Sequence, residues 1–312
     1  MRIVFMGTPD FAVEVLKRLA GSGEEIVLAV TQPDRVKGRG RTASPSPVKA
    51  EAEALGIPVF TPEKVRRPEA VERIREAAPD LIVVAAFGQI LPQELLDIPE
   101  LGCINVHASL LPKYRGAAPI QWAVLNGEKK SGVTLMKMDA GLDTGDILVQ
   151  EAVELAPDET GESLYGRLAA LGGDLLVRNL DAIKAGSITP VKQDDAQHTY
   201  AGMLKKEMGR INWSKSAAEI ERFIRGMYSW PCAYTSLGGK TVRIFSAGVL
   251  PDDPAYSGLC PGTVAASDRD SILVVTGEGL LAVRELQMEG RKRMSAGDFL
   301  RGTALEAGTC LG

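Results

Sequence analysis

The run Asp80-Leu81-Ile82-Val83-Val84-Ala85-Ala86-Phe87-Gly88 limits the fold more than any other stretch of the chain. A near-continuous apolar segment of this length, closed by glycine, reads as a strand covered on both faces. Such a strand needs helices on either side, which implies a mostly parallel sheet. The chain opens in the same way. Arg2 to Phe5 is a short apolar strand that stops at Gly7, and Thr8-Pro9-Asp10 offers a cap and a first-turn proline. Phe11, Val15 and Leu19 then recur every four residues, Gly21 to Gly23 ends the helix, and Ile26 to Val30 is the next strand. The first loop is Gly7-Thr8-Pro9-Asp10 rather than GxGxxG, so a dinucleotide site is not supported.

Sites in open α/β sheets lie beyond the carboxyl ends of the strands. Phe87, Gly88, Ile90 and Leu91 follow such an end, although plain strand punctuation is equally compatible with their composition. The next strand, Cys103-Ile104-Asn105-Val106-His107, alternates strictly. Residues two apart share a face, so Asn105 and His107 point the same way. An amide donor beside a titratable imidazole suits the polarising of a carbonyl and the handling of a proton. A carboxylate partner comes later, at Asp143, in a loop between a strand over 131–138 and its hairpin partner over 146–151. Spacing alone leaves a structural histidine, an asparagine turn former and a hairpin aspartate open as alternatives.

The combination is narrower than its parts. Asn105-x-His107-x-Ser109-Leu110-Leu111-Pro112, then Tyr114-Arg115-Gly116-Ala117-Ala118-Pro119, then Asp139-x-Gly141-x-Asp143-x-Gly145, resembles the folate-dependent formyltransferase family. Met6-Gly7-Thr8-Pro9-Asp10-Phe11 and Thr31-Gln32-Pro33-Asp34-Arg35 extend the resemblance along nearly the whole chain. It implies a Rossmann-like catalytic domain and formyl transfer from 10-formyltetrahydrofolate to the α-amino group of methionyl initiator tRNA. Asn105, His107 and Asp143 become the catalytic residues. Ser109, Leu110, Leu111, Pro112, Phe87, Gly88, Ile90, Leu91, Asp139 and Gly141 become the folate contacts. Transfer is expected to be direct, through a ternary complex, with no metal. Relatives that formylate a small amine, such as a glycinamide ribonucleotide or an amino-sugar nucleotide, share this centre, so the centre does not choose the acceptor.

Two features favour tRNA. Arg35, Lys37, Arg39 and Arg41 crowd a glycine- and proline-rich loop. Closely spaced cations attract polyanions, though the residues alone equally describe a solvated basic loop. The resemblance places this loop at the tRNA acceptor stem, with Arg39 the foremost contact. The second feature is a separate C-terminal domain. A long helix over 160–185 carries Leu164, Leu168, Leu171, Leu175 and Leu176 as a packing stripe, and the aperiodic stretch after it reads as a linker that exposes His198. From Lys205 onward about five short strands with glycine turns suggest a small β-barrel, and the resemblance makes it OB-like. Such barrels commonly bind nucleic acids. Lys206 at its entrance and Arg291-Lys292-Arg293 near its end are the expected tRNA contacts. The domains are therefore expected at 1–186 (catalytic), 187–204 (linker) and 205–312 (OB-like, tRNA-binding). A non-catalytic RNA-binding protein would not need the three polar residues together.

Net charge is −4, so nucleic-acid affinity is not a property of the whole chain, but basic residues slightly outnumber acidic ones from Lys205 to the end. The four cysteines show no CxxC spacing, hence neither a zinc site nor a redox pair is expected. No apolar run is long enough to span a membrane, and the N-terminal apolar segment is too short for a signal peptide. The expectation is a cytoplasmic protein, monomeric by family resemblance.

Overall fold

The computed structural model describes residues 1–36 and 43–312. The chain divides into two units. The first comprises residues 1–120, 130–155 and 164–203, and the second 121–129, 156–163 and 204–312.

From residue 1 to 203 the elements run β1 (Arg2–Gly7), α1 (Asp10–Ala20), β2 (Glu25–Val30), β3 (Arg35–Val36) and β4 (Ala43–Ser44). Next come α2 (Pro47–Ala54), β5 (Val59–Phe60), α3 (Pro68–Glu76), β6 (Leu81–Ala85) and α4 (Gln93–Leu96). Then follow β7 (Cys103–His107), β8 (Arg115–Gly116), α5 (Pro119–Leu125), β9 (Lys130–Lys137), β10 (Ile147–Glu154), α6 (Gly161–Lys184) and β11 (Tyr200–Ala201). Seven strands form one sheet in the order β10-β9-β7-β6-β1-β2-β5. From β7 to β5 every pair is parallel, while β9 is antiparallel to β7 and β10 to β9. The expected mostly parallel sheet is therefore present, with a hairpin added at one edge. The apolar run at Leu81–Ala85 is buried at every position, as a strand covered on both faces must be.

Two apolar layers flank the sheet. On one side Val4, Met6, Ile82, Val84 and Cys103 pack with Val71 and Ile74 of α3 and Leu95 of α4. On the other, α6 approaches β7 so closely that a Cβ at Gly172 would lie 2.7 Å from Val106 Cγ1. The register sets Val84 beside Asn105 and Ile82 beside Cys103. One face of β7 thus starts in the apolar core at Cys103 and turns polar at Asn105 and His107, where the sheet ends.

Residues 187–203, expected to link the units, fold into the first one. There β11 pairs in parallel with β8, and Val191 exchanges two backbone hydrogen bonds with Ile147. His198 is exposed, as expected.

In the second unit, α7 (Ala217–Gly226) begins with a capping box between Ser216 and Glu219. The strands β12 (Ala233–Leu237), β13 (Lys240–Leu250), β14 (Val264–Ser267), β15 (Ile272–Val275) and β16 (Leu280–Met288) follow, then β17 (Met294–Ser295) and α8 (Ala296–Gly302). They form an antiparallel sheet in the order β12-β13-β16-β15-β14, with β17 on β16. Among the described residues β12 and β14 do not pair with each other. Residues 308–312 run between them instead. Val264 N donates to Thr309 O, Leu311 N to Gly262 O and Gly312 N to Ser236 O. The strands themselves form an open sheet rather than the expected closed barrel, and this tail bridges its two edges beside apolar residues that include Val242, Ile244, Ile272, Leu286, Phe299 and Leu311. No helix of the described residues is long and apolar enough to cross a membrane.

Candidate active site

Asn105 and His107 leave the sheet on one face and meet Asp143, which arrives from the loop between β9 and β10. Asn105 Nδ2 donates to Asp143 Oδ1 at 3.3 Å, and His107 Nδ1 stands 3.7 Å from Asp143 Oδ2. All three are largely shielded, with side-chain exposures of 6% for His107 and 13% for Asp143. The other ring nitrogen, Nε2, lies 3.0 Å from the carbonyl oxygen of Tyr114. A carbonyl only accepts, so Nε2 carries hydrogen and the neutral ring is bare at Nδ1. Nδ1 is therefore the nitrogen free to take or give a proton, and Asp143 is the anion beside it.

Asp143 occupies a left-handed backbone conformation, φ 52°. That costs a non-glycine residue roughly 1 kcal/mol, and it aims the carboxylate inward. The second oxygen of the carboxylate accepts from Gly116 N–H at 2.8 Å. Gly116 itself has φ 115° and lies against β11, where a Cβ would come 2.8 Å from Ala201 O. Only glycine fits that position. Gln193, from the stretch read as a linker, donates from Nε2 to Asp143 O at 2.9 Å and Gly145 O at 2.7 Å. Its Oε1 accepts from Arg115 Nε and Nη2 at 3.0 and 2.8 Å, and Arg115 also pairs with Asp195 at 2.8 Å. This hydrogen bond to the guanidinium holds the Asp195 carboxyl below its usual range.

The expected folate residues divide into two groups around this centre. After β7, Thr134 pins the turn over 109–112. Its hydroxyl donates to Ser109 O at 2.6 Å and accepts from Leu111 N and Gln150 Nε2. Gln150 also reaches Leu111 O, and Ser109 Oγ donates to Lys113 O. Leu111 is buried, while Leu110 and Pro112 are half-buried. After β6, the Phe87 carbonyl accepts from Thr8 Oγ1 and Gln32 Nε2, both at 3.0 Å. Phe87 and Leu91 are buried, and Gly88 and Ile90 are exposed, Ile90 at 78%. Asp139 spends its carboxylate within its own loop, accepting from Gly141 N and Thr144 Oγ1. Gly141 leaves no room for a side chain there, since a Cβ would overlap Thr144 Oγ1.

Sequence reasoning quoted Arg115 and Gly116 without giving them a task, and it passed over Thr134, Gln150 and Gln193. The antiparallel register of β7 and β9 sets Thr134 opposite His107, and alternation within either strand does not reveal that register. The rest act through hydrogen bonds to groups far away in sequence, which no periodicity reveals.

Of the expected tRNA contacts, Lys37, Arg39 and Arg41 lie outside the described residues. In the second unit Lys206, Arg291 and Lys292 are exposed. Arg293 is committed to its own surroundings: it pairs with Glu285, donates to Tyr228 Oη, and sits 4.5 Å from the Phe245 ring centroid and 5.1 Å from that of Tyr228.

Comparison with known proteins identifies the family. The profile of the formyl transferase family matches residues 1–180, and that of its C-terminal domain matches residues 203–304. A methionyl-tRNA formyltransferase of Geobacter metallireducens is 53% identical over the whole of this chain and 99% of its own, and one of Lachnospira eligens is 52% identical over the full length of both. Among solved structures, an N-formyltransferase of Helicobacter canadensis in complex with folinic acid and dTDP-3-aminofucose superposes with a TM-score of 0.64. It is 20% identical, and the alignment covers 90% of this chain and 98% of that one. HypX of Aquifex aeolicus in complex with tetrahydrofolic acid gives a TM-score of 0.65 at 19% identity, over 96% of this chain and 47% of that one. At such identities these two report the shared fold. The chain belongs to the formyltransferase family, in the branch whose curated members are methionyl-tRNA formyltransferases.

Proposed function

We propose that the chain transfers the formyl group of 10-formyltetrahydrofolate to the α-amino group of methionyl initiator tRNA, giving formylmethionyl-tRNA for translation initiation. The observation that carries the chemistry is the convergence of Asn105, His107 and Asp143 at the end of β7. Identity of about half over full length to methionyl-tRNA formyltransferases supports the acceptor. The donor set suits a folate. Exposed Ile90, half-buried Leu110 and the main chain of the 87–91, 109–112 and 139–141 segments offer apolar surface with amide groups, as a flat heteroaromatic requires, and buried Phe87, Leu91 and Leu111 anchor two of these segments from beneath.

The folate supplies an activated formyl carbon, to which the methionyl amine bonds as the carbon–N10 bond breaks and N10 takes up the amine's proton. Asn105 Nδ2 and the protonated Nδ1 of His107 donate to the formyl oxygen as it becomes anionic. Tyr114 O holds Nε2, which leaves Nδ1 as the ring nitrogen for this task. Asp143 supplies the counter-charge to the imidazolium and, through water, a path for the amine's proton. The chain's own side chains form no covalent intermediate in this scheme.

The second unit and the basic loop serve tRNA. Lys37, Arg39, Arg41, Lys206, Arg291 and Lys292 neutralise phosphates, and Arg293 braces the surface beside them. The enzyme works as a monomer in the cytoplasm.

Charged initiator tRNA offered with 10-formyltetrahydrofolate should yield formylmethionine. Alanine at Asn105, His107 or Asp143 should each lower kcat about a hundred- to a thousand-fold. Near wild-type turnover in all three variants overturns the site. Formylation of a glycinamide ribonucleotide or an amino-sugar nucleotide, with charged tRNA left untouched, overturns the acceptor.

A further inference from the structure

We propose that Gln193 is a positioning residue for formyl transfer, acting by holding Asp143 in its left-handed backbone turn. The proposal rests on the reading of Asp143 as part of the catalytic centre. Gln193 is 5% exposed, although the segment around it has neither strand nor helix periodicity. The orientation of its amide is fixed by chemistry. Arg115 offers only donors, and two of them meet Oε1, so Nε2 must face the other way. That places both amide hydrogens toward the carbonyls of Asp143 and Gly145, at 2.9 and 2.7 Å. The first carbonyl belongs to the residue whose φ is 52°, and the second lies two residues further along the same turn.

Arg115 is itself 2% exposed, and its Nη2, besides donating to Gln193, donates to Asp195 Oδ1. Its neighbour Gly116 donates the backbone hydrogen bond that receives the Asp143 carboxylate. Gln193 therefore fixes the main chain of Asp143, while the residue next to Arg115 fixes its side chain. Arg115, which orients Gln193, and Gly116 both belong to β8, which pairs with β11. Freed of Gln193, Asp143 can relax toward an ordinary backbone conformation, and its carboxylate then leaves Asn105 and His107 Nδ1. Displacing a catalytic group by about an ångström costs on the order of a hundredfold in rate.

Gln193→Glu isolates the claim. The carboxylate still accepts from Arg115 and keeps the volume, but both donors are lost. The expected result is a kcat about 10- to 100-fold lower, with KM for folate and for methionyl-tRNA within about twofold of wild type and a protein still fully folded at the assay temperature. Gln193→Met, of similar shape and without hydrogen bonds, should fall in the same range and serves if the charged variant folds poorly. In an Asp143→Ala background, Gln193→Glu should cost nothing further, because its route of action is already gone. A wild-type kcat in Gln193→Glu overturns the proposal, as does an equal loss in both backgrounds, which would give Gln193 a role independent of Asp143. If Asp143→Ala itself retains wild-type turnover, the reading of the centre fails first; if Asp143→Ala is crippled and Gln193→Glu is not, only the role of Gln193 fails.

Discussion

At the scale of single residues, two side chains on one face of β7 show how position decides chemistry. Cys103 and Asn105 are two apart and share a side of the strand. Cys103 lies in the apolar core, where burial pushes its thiol up to about 12 from 9.0, whereas Asn105 reaches the polar end. The thiol therefore keeps its proton in the folded chain and is inert. In the unfolded chain it ionises near 9.0. Between those values the unfolded state binds fewer protons, so folding stability falls as pH rises through this window, by up to about 1.4 kcal/mol per pH unit. Tyr165, whose buried hydroxyl accepts from Phe11 N, is raised to about 12 as well and adds in the same direction. Denaturant unfolding of the wild type and Cys103→Ala at pH 8 and pH 10.5 checks this. The variant removes one titrating group, so its stability should decline less over that interval. Equal declines would mean that the thiol is not shielded.

At the scale of elements, β7 was legible to the residue. Its strict alternation marked both its limits and its polar face. The apolar run of β6 and the opening β1-α1-β2 unit were legible for the same reason, that burial imposes a period. The loop between β9 and β10 was legible only as a loop. What shapes it is contact between main-chain atoms. Gly145 passes so close to the Lys137 carbonyl that a Cβ would overlap it, and Asp139 ties Gly141 and Thr144 into one turn. Gln193 braces the loop through side-chain-to-backbone hydrogen bonds, and such bonds leave no pattern in the sequence. The loop can be tested apart from its catalytic side chain. Gly145→Ala keeps Asp143 but forces the turn off the Lys137 carbonyl. Its kcat should fall at least tenfold, while the melting temperature drops by only a few degrees, since the strain is confined to one turn. Unchanged kcat would show that the turn tolerates displacement and that Asp143 is positioned by other means.

At the scale of the whole molecule, the sequence announced two domains, but the units recruit segments that linear reading assigns elsewhere. Residues 121–129 and 156–163 cluster with the second unit, and 187–203 with the first. Strand counting likewise foresaw a small barrel, whereas the strands alone form an open sheet. The piece between its edges is the segment 308–312, which has no strand periodicity and bridges β14 to β12 through Thr309, Leu311 and Gly312. Its side-chain anchor, Leu311, is 9% exposed. Burial of one leucine is worth about 1.5–3 kcal/mol, and the freed edges of β12 and β14 would present unpaired N–H and C=O groups. Leu311→Ala should therefore destabilise the second unit by about 2 kcal/mol, and deletion of residues 308–312 by more. Hydrogen exchange reads the difference by location. The amide of Val264, protected by Thr309 O, should exchange far faster in the deletion variant, while amides of β6 in the first unit keep their rates. On the proposed division of labour, folate binding then survives and affinity for methionyl-tRNA falls. If Val264 remains protected without the tail, β12 and β14 find each other directly, and the closure of the barrel belongs to its strands alone.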